Sequence, residues 1–257
     1  MKTIPQNSTC RPQAHPLLAA LSISLAIIAT LSCQLLSPSI RLDQGTLERL
    51  VISDGQGGQA QPGDRLELRL GTNECCYYFE PVDVRARWSV EPAQGASIEP
   101  RTGVLIIQPN VADGTTYTVT ADVENGRRFV TTTLRVYTPA ANPLVGTWHE
   151  ASQIDCTTGE LSPAQDGLRE LVFKASGEFL ATFTPFEIYH DYWGSYTYDL
   201  QQGTLSLEVA SGNFIPTGLD LQGCFEIASE GSLWLRDIWL GRRDPAAVPG
   251  CGHVFAR

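Results

Sequence analysis

From Cys33 onward the chain alternates. Short runs in which apolar and polar residues exchange places recur roughly every 8 to 12 residues, each broken by Gly, Pro, Asn or Asp. A strand points successive side chains to opposite faces, so this period suits half-buried strands and defeats an amphipathic helix. The expected class is therefore all-β. The rhythm stops once, at Thr138-Pro139-Ala140-Ala141-Asn142-Pro143, which offers prolines and small residues but no apolar face. Residues 138–143 read as a linker between two modules, 45–137 and 144–257, with a short tether at 33–44 before them.

The second module carries eight strand-like runs, near 147–154, 168–174, 178–184, 193–200, 203–210, 222–228, 232–240 and 251–257. The links after the second, fourth and sixth runs are short: Ala175-Ser176-Gly177, Gln201-Gln202 and Ser229-Glu230-Gly231. The links after the first, third, fifth and seventh are longer. Short links at one end and long ones at the other are what an up-and-down meander produces when it closes into a barrel, and closure removes exposed edges. One end is then tight and the other is ringed by loops. Gly146-Thr147-Trp148, which opens the first run, resembles the Gly-x-Trp signature of lipocalins, and Gly194-Ser195-Tyr196 with Gly203-Thr204-Leu205-Ser206-Leu207 is similar to small bacterial lipocalin-like domains. That resemblance implies that Arg257, on the last strand, packs across Trp148 as a structural plug.

In the first module, Leu66, Leu68 and Leu70 alternate with charges after the turn Pro62-Gly63-Asp64, and Val84, Ala86, Trp88 and Val90 alternate around a tryptophan. The segments from Ala96 to Ile106 and from Asp113 to Ala121 resemble bacterial immunoglobulin-like domains. By that resemblance Trp88 is the core tryptophan of a β-sandwich and Tyr117 sits near a tyrosine corner. The cysteine pair that bridges the sheets of antibody domains is missing here, so the packing must rest on apolar burial.

The segment from Leu17 to Leu31 is uncharged and ends at Ser32-Cys33; Lys2 and Arg11 precede it, and the first acidic residue is Asp43. This is the layout of a secretory leader spanning 1–32. Cys33, preceded by small Ser32, resembles the lipidated cysteine of bacterial lipoproteins. A competing reading is an uncleaved anchor, because Leu17 to Leu36 is about the 20 residues that span a bilayer. Both place the rest of the chain on the exported side of a cell envelope. The two positive charges of the leader take the formal charge from −10 for the whole chain to −12 for the exported part. Such a surface repels polyphosphate and excludes nucleic acid as a partner, so any membrane contact runs through the anchor.

Catalytic signatures fail on inspection. His149-Glu150 opens a zinc-protease pattern, but Gln153 occupies the place of the second histidine. No phosphate loop and no Gly-x-Ser-x-Gly elbow is present, so neither an enzyme nor a cofactor is expected. Cys156, Cys224 and Cys251 should gather at the loop-rich end, and the preferred bridge is Cys156–Cys251, because first and last strands are neighbours in a closed barrel. Adjacent Cys75 and Cys76 leave open a vicinal bridge, separate partners or a soft metal such as Cu(I). A thiolate metal site with His253 or His190 is the sharper alternative to a structural staple. The mouth loops hold Phe186, Ile188, Tyr189, His190, Tyr192 and Phe214. Aromatics with a few polar groups suit a small apolar or amphipathic ligand, bound without catalysis. The competing reading is a filled barrel in a structural or adhesive surface protein. The anchor is directly testable: Cys33→Ser should abolish metabolic labelling by a palmitate analogue and leave unprocessed precursor, whereas equal labelling of the mutant would remove the lipoprotein reading.

Overall fold

The computed structural model describes residues 41–73, 79–164, 167–183, 191–242 and 250–257. The leader with Cys33, the pair Cys75 and Cys76, and the loop residues Phe186, Ile188, Tyr189 and His190 lie outside the described residues. What is described is all-β apart from a short helix, α1 (Gln44–Glu48). Asp43 caps α1: its carboxylate accepts from the Thr46 hydroxyl at 2.6 Å and the Thr46 N–H at 3.0 Å, which holds its pKa below the usual range. Just before it, Leu42 packs on the first core and its N–H donates to Glu124. The expected tether has thus become ordered chain by Leu42.

Ten strands surround the first core: β1 (Leu50–Ser53), β2 (Gln59–Ala60), β3 (Arg65–Glu67), β4 (Arg69–Asn73), β5 (Phe79–Pro81), β6 (Ala86–Glu91), β7 (Ala96–Ile98), β8 (Val104–Ile107), β9 (Thr116–Val123) and β10 (Arg128–Val136). They form three sheets, ordered β2-β10-β9-β6, β1-β4-β5 and β3-β8-β7. Leu66, Leu68 and Leu70 are all buried, as their alternation requires. The run does not stay in one sheet, however. The Leu68 N–H leaves the ladder for the Gly103 carbonyl, so β3 pairs with β8 while β4 pairs with β1. Trp88 on β6 is buried over Gly103, whose φ is +72° and where a Cβ would stand 2.8 Å from the indole. Tyr117 is fully buried on β9, and its hydroxyl donates to the Gln94 carbonyl at 2.9 Å.

The second core belongs to β11 (Gly146–Asp155), β12 (Leu161–Pro163), β13 (Glu170–Phe173), β14 (Glu178–Thr182), β15 (Tyr192–Asp199), β16 (Thr204–Gly212), β17 (Gln222–Ile227), β18 (Leu233–Arg236) and β19 (Gly250–Ala256). Each strand from β14 to β19 lies antiparallel to the one before it, and β11 pairs with both β13 and β19. Eight strands therefore close into a ring, and short β12 hangs beside the far end of β11. The inward rows are large: Trp148, Phe173, Phe179, Tyr192, Leu233, Leu235 and Phe255 are each at most 1% exposed. Aromatic edges meet aromatic faces, as in Phe173 against Tyr196 at 4.8 Å.

Residues 138–145 do not behave as a loose linker. The Tyr198 hydroxyl donates to the Ala141 carbonyl at 2.8 Å, Arg257 to the carbonyls of Pro143 and Val145 at 3.0 and 3.1 Å, and the Trp148 indole N–H to that of Leu144 at 2.7 Å. The Arg257 guanidinium also lies over the Trp148 ring, 4.3 Å from its centroid. From the other side, Gln59 on β2 accepts from the Ala175 N–H at 2.9 Å. Residues 138–143 have no apolar face but lead directly into Leu144 and Val145, which are buried, and four carbonyls between Ala141 and Val145 are taken by barrel side chains. Truncation at the centre of this cluster, Trp148→Ala, should cost roughly 3–5 kcal/mol in urea unfolding followed by circular dichroism. A loss under 1 kcal/mol would mean that the indole is not a core group.

Candidate functional site

The loop-rich end of the barrel is where a ligand would enter. There β18 stops at Arg236, earlier than the run predicted over 232–240, because Asp237 adopts a left-handed conformation with φ of +60° and its N–H turns to the Cys251 carbonyl. The next residues leave the wall and cover the end. Ile238 and Leu240 are fully buried, and Trp239 exchanges two backbone hydrogen bonds with Asp220. Leu240 is gripped at both polar ends: its carbonyl accepts from the Tyr192 hydroxyl at 2.8 Å, and its N–H donates to His253 Nε2 at 2.9 Å.

This second bond decides the histidine's chemistry. A nitrogen that accepts from an N–H carries no proton, so the ring proton of His253 sits on Nδ1 and is donated to Glu150 Oε1. Both side chains are fully buried, Trp239 stacks on the imidazole at 4.6 Å, and the other carboxylate oxygen of Glu150 accepts from the Leu168 N–H at 2.5 Å. Residue 167 has to be glycine here, since a Cβ would collide with that carboxylate oxygen. The charge is therefore buried with its partners supplied, which is the condition under which such a group persists in a core. Neither nitrogen of His253 is left for a metal or for proton transfer to a substrate.

Tyr192, one of the aromatics expected to meet a ligand, belongs to the core. Strand β15 begins with it, so alternation sends Tyr192, Gly194 and Tyr196 inward while exposed Ser195 and Thr197 face out. The Tyr192 ring packs edge-on to Phe179, and burial, with the nearby charges of Asp191 and Glu150, pushes its phenol far above the ordinary range. Asp191 is buried as well, accepting from the Phe183 N–H at 2.6 Å. Phe214 is different. It is 37% exposed on the rim, edge-on to Phe183 and beneath the Arg242 guanidinium at 4.5 Å.

The other candidates separate in the same way. His149 and Glu150 are neighbours on a strand, so they face opposite sides of the barrel wall; a zinc-protease pair needs a helix to bring its ligands to one face. His149 Nδ1 lies 2.9 Å from the Arg169 carbonyl on the outside. Cys156 and Cys251 form a disulfide, with Cα atoms 5.0 Å apart. Two backbone N–H groups, of Thr158 and Thr157, hold the Asp155 carboxylate that shapes the turn presenting Cys156, and they lower its pKa. Cys224 does not join this pair. It lies opposite Arg236, which lies opposite Gly252, so two inter-strand steps separate it from the bridge, and its free thiol faces solvent. Among the described residues, no group of three His, Cys, Asp or Glu side chains could hold a metal ion.

Leu168, Leu240, Glu150 and His253 were not singled out as a unit by sequence reasoning. Their signal was weak: an isolated acid and an isolated histidine, a hundred residues apart, each at an inward position of a strand. In comparison with protein-family models and with curated proteins, no match to this chain was found. The geometry is open to test at His253. His253→Ala would leave the Glu150 carboxylate buried without its donor and the Leu240 N–H without its acceptor, so stability should fall by about 3–5 kcal/mol in chemical unfolding. A neutral outcome would show that water reaches this pair freely.

Proposed function

We propose that the chain is an exported, lipid-anchored envelope protein in which an immunoglobulin-like sandwich carries a lipocalin-like barrel with a solid interior. It works as a non-enzymatic display or adhesive unit through its outer surfaces. The observation that carries this reading is the covered end of the barrel. Leu240 is held by Tyr192 and His253 across the place where an apolar ligand would enter, and the rows beneath it are filled by Phe179, Phe173 and Trp148. An eight-stranded barrel has an interior just wide enough for side chains to fill, so large inward residues leave little for a guest. Support for the address comes from the charge-free run before Ser32-Cys33. Among the described residues no helix is long and apolar enough to cross a membrane.

Native mass spectrometry of the protein purified from its own host tests this. The expected mass is that of the chain with its anchor and nothing more. A further small molecule, released on denaturation, would instead support ligand binding at the loop end, near Phe214. Leu240→Ala supplies the converse. It should cost about 2–5 kcal/mol and create an apolar void able to take xenon or benzene, which the unaltered barrel should refuse.

A further inference from the structure

The cover over the loop end of the barrel hangs on a ring that can change its charge. His253 Nε2 accepts from the Leu240 N–H at 2.9 Å, and its Nδ1–H is spent on Glu150. Histidine is the side chain suited to gain or lose a proton in the physiological range. What faces this ring is known from every side. From β11 come the Glu150 carboxylate and uncharged Gln153, and from the cover Trp239, stacked at 4.6 Å. On β18 its partner is fully buried Leu235, while exposed Arg236 lies over Trp234 at 4.8 Å. Its own strand supplies Phe255, at 5.7 Å. Beyond Leu240, β15 contributes the Tyr192 phenol, with the charge of Asp191 near it.

A second ring proton can enter only at Nε2, where the Leu240 N–H already points. Two donors would then face each other, so the bond is lost and Leu240 keeps only the Tyr192 hydroxyl on its carbonyl. The same proton does the opposite at the wall. It makes the imidazole a cation against the Glu150 carboxylate, and a charge-assisted bond is stronger than a neutral ring provides. A proton on the carboxylate instead would compete with the Leu168 N–H, which holds the other oxygen at 2.5 Å. Burial does not keep the proton out, because local opening of the segment is enough to admit it. The cover also has a place to bend at Asp237, whose φ of +60° marks where the chain leaves β18. The sign follows from which form can hold the proton. With Leu240 released, Nε2 is free to bind it, so acid favours the open form, by at most about tenfold per pH unit for one proton.

We propose that His253 is an acid-operated latch: a proton at Nε2 frees the cover over residues 238–240 and opens the loop end while the ring of strands stays closed. The solid interior belongs to the latched form, so the two readings can fail separately. The experiment is hydrogen exchange of the full chain in detergent between about pH 8 and pH 5, read by mass spectrometry and corrected for the intrinsic pH dependence of exchange. Protection at the amides of Trp239 and Leu240 should fall with acid, by up to about tenfold per pH unit, while peptides from β11, β15 and β19 keep theirs. In His253→Gln, whose amide does not titrate, protection of the cover should no longer follow pH. Imidazole nitrogen NMR of the unaltered chain decides the matter even if that variant fails to fold. Nε2 should be bare at neutral pH and protonated where protection is lost. The proposal is overturned if Nε2 stays bare down to about pH 5, or if it gains a proton with the cover still protected. It is equally overturned if the barrel wall opens in step with the cover, or if folded His253→Gln keeps the same pH dependence.

Discussion

The seam between β11 and β19 is the constraint on which the barrel rests. Every other neighbouring pair in the ring is made by strands close in sequence, whereas this one joins residues about a hundred apart. Loop-closure entropy opposes it more than the others, so it has to be held. Three unlike interactions do so along its length. Arg257 lies over Trp148 at the tight end, Glu150 is bonded to His253 within the wall, and the Cys156–Cys251 disulfide crosses at the loop end. On a chain-entropy estimate a covalent closure of that span contributes on the order of 4 kcal/mol.

The same seam organises both ends. His253 serves Glu150 with one nitrogen and Leu240 with the other, so the pair that staples the wall also positions the residue that covers the interior. Trp148 and Arg257 spend their polar atoms on the carbonyls of residues 143–145, so the plug at the tight end also docks the segment leading in from the first module.

Much of the architecture was legible because its cause is local. Alternation is a property of adjacent residues, so the β class could be read directly, as could the inward rows of Leu66, Leu68 and Leu70 and of Trp88. The unequal links between the strands carry the up-and-down order, and that order by itself makes Cys156 and Cys251 neighbours. Short-range pattern was less informative where a strand ends. Asp237 turns the chain out of the wall at a point where the apolar run Ile238-Trp239-Leu240 continues unbroken, so a strand was expected where the structure has a cover.

The sequence by itself determined the all-β class, how the strands in the barrel follow one another, and which cysteines could meet. Tertiary structure alone decided what each polar residue does. Whether Tyr192 meets a ligand or fills the core depends on where β15 begins, a shift of one residue that exchanges the two faces. Whether Glu150 and His253 are separate surface groups or one buried pair depends on closure of a ring whose first and last strands are distant in sequence. Pattern along a chain reports on the side of a strand. Only the packed ring brings two such sides together, because hydrogen-bond partners are set by distance in space.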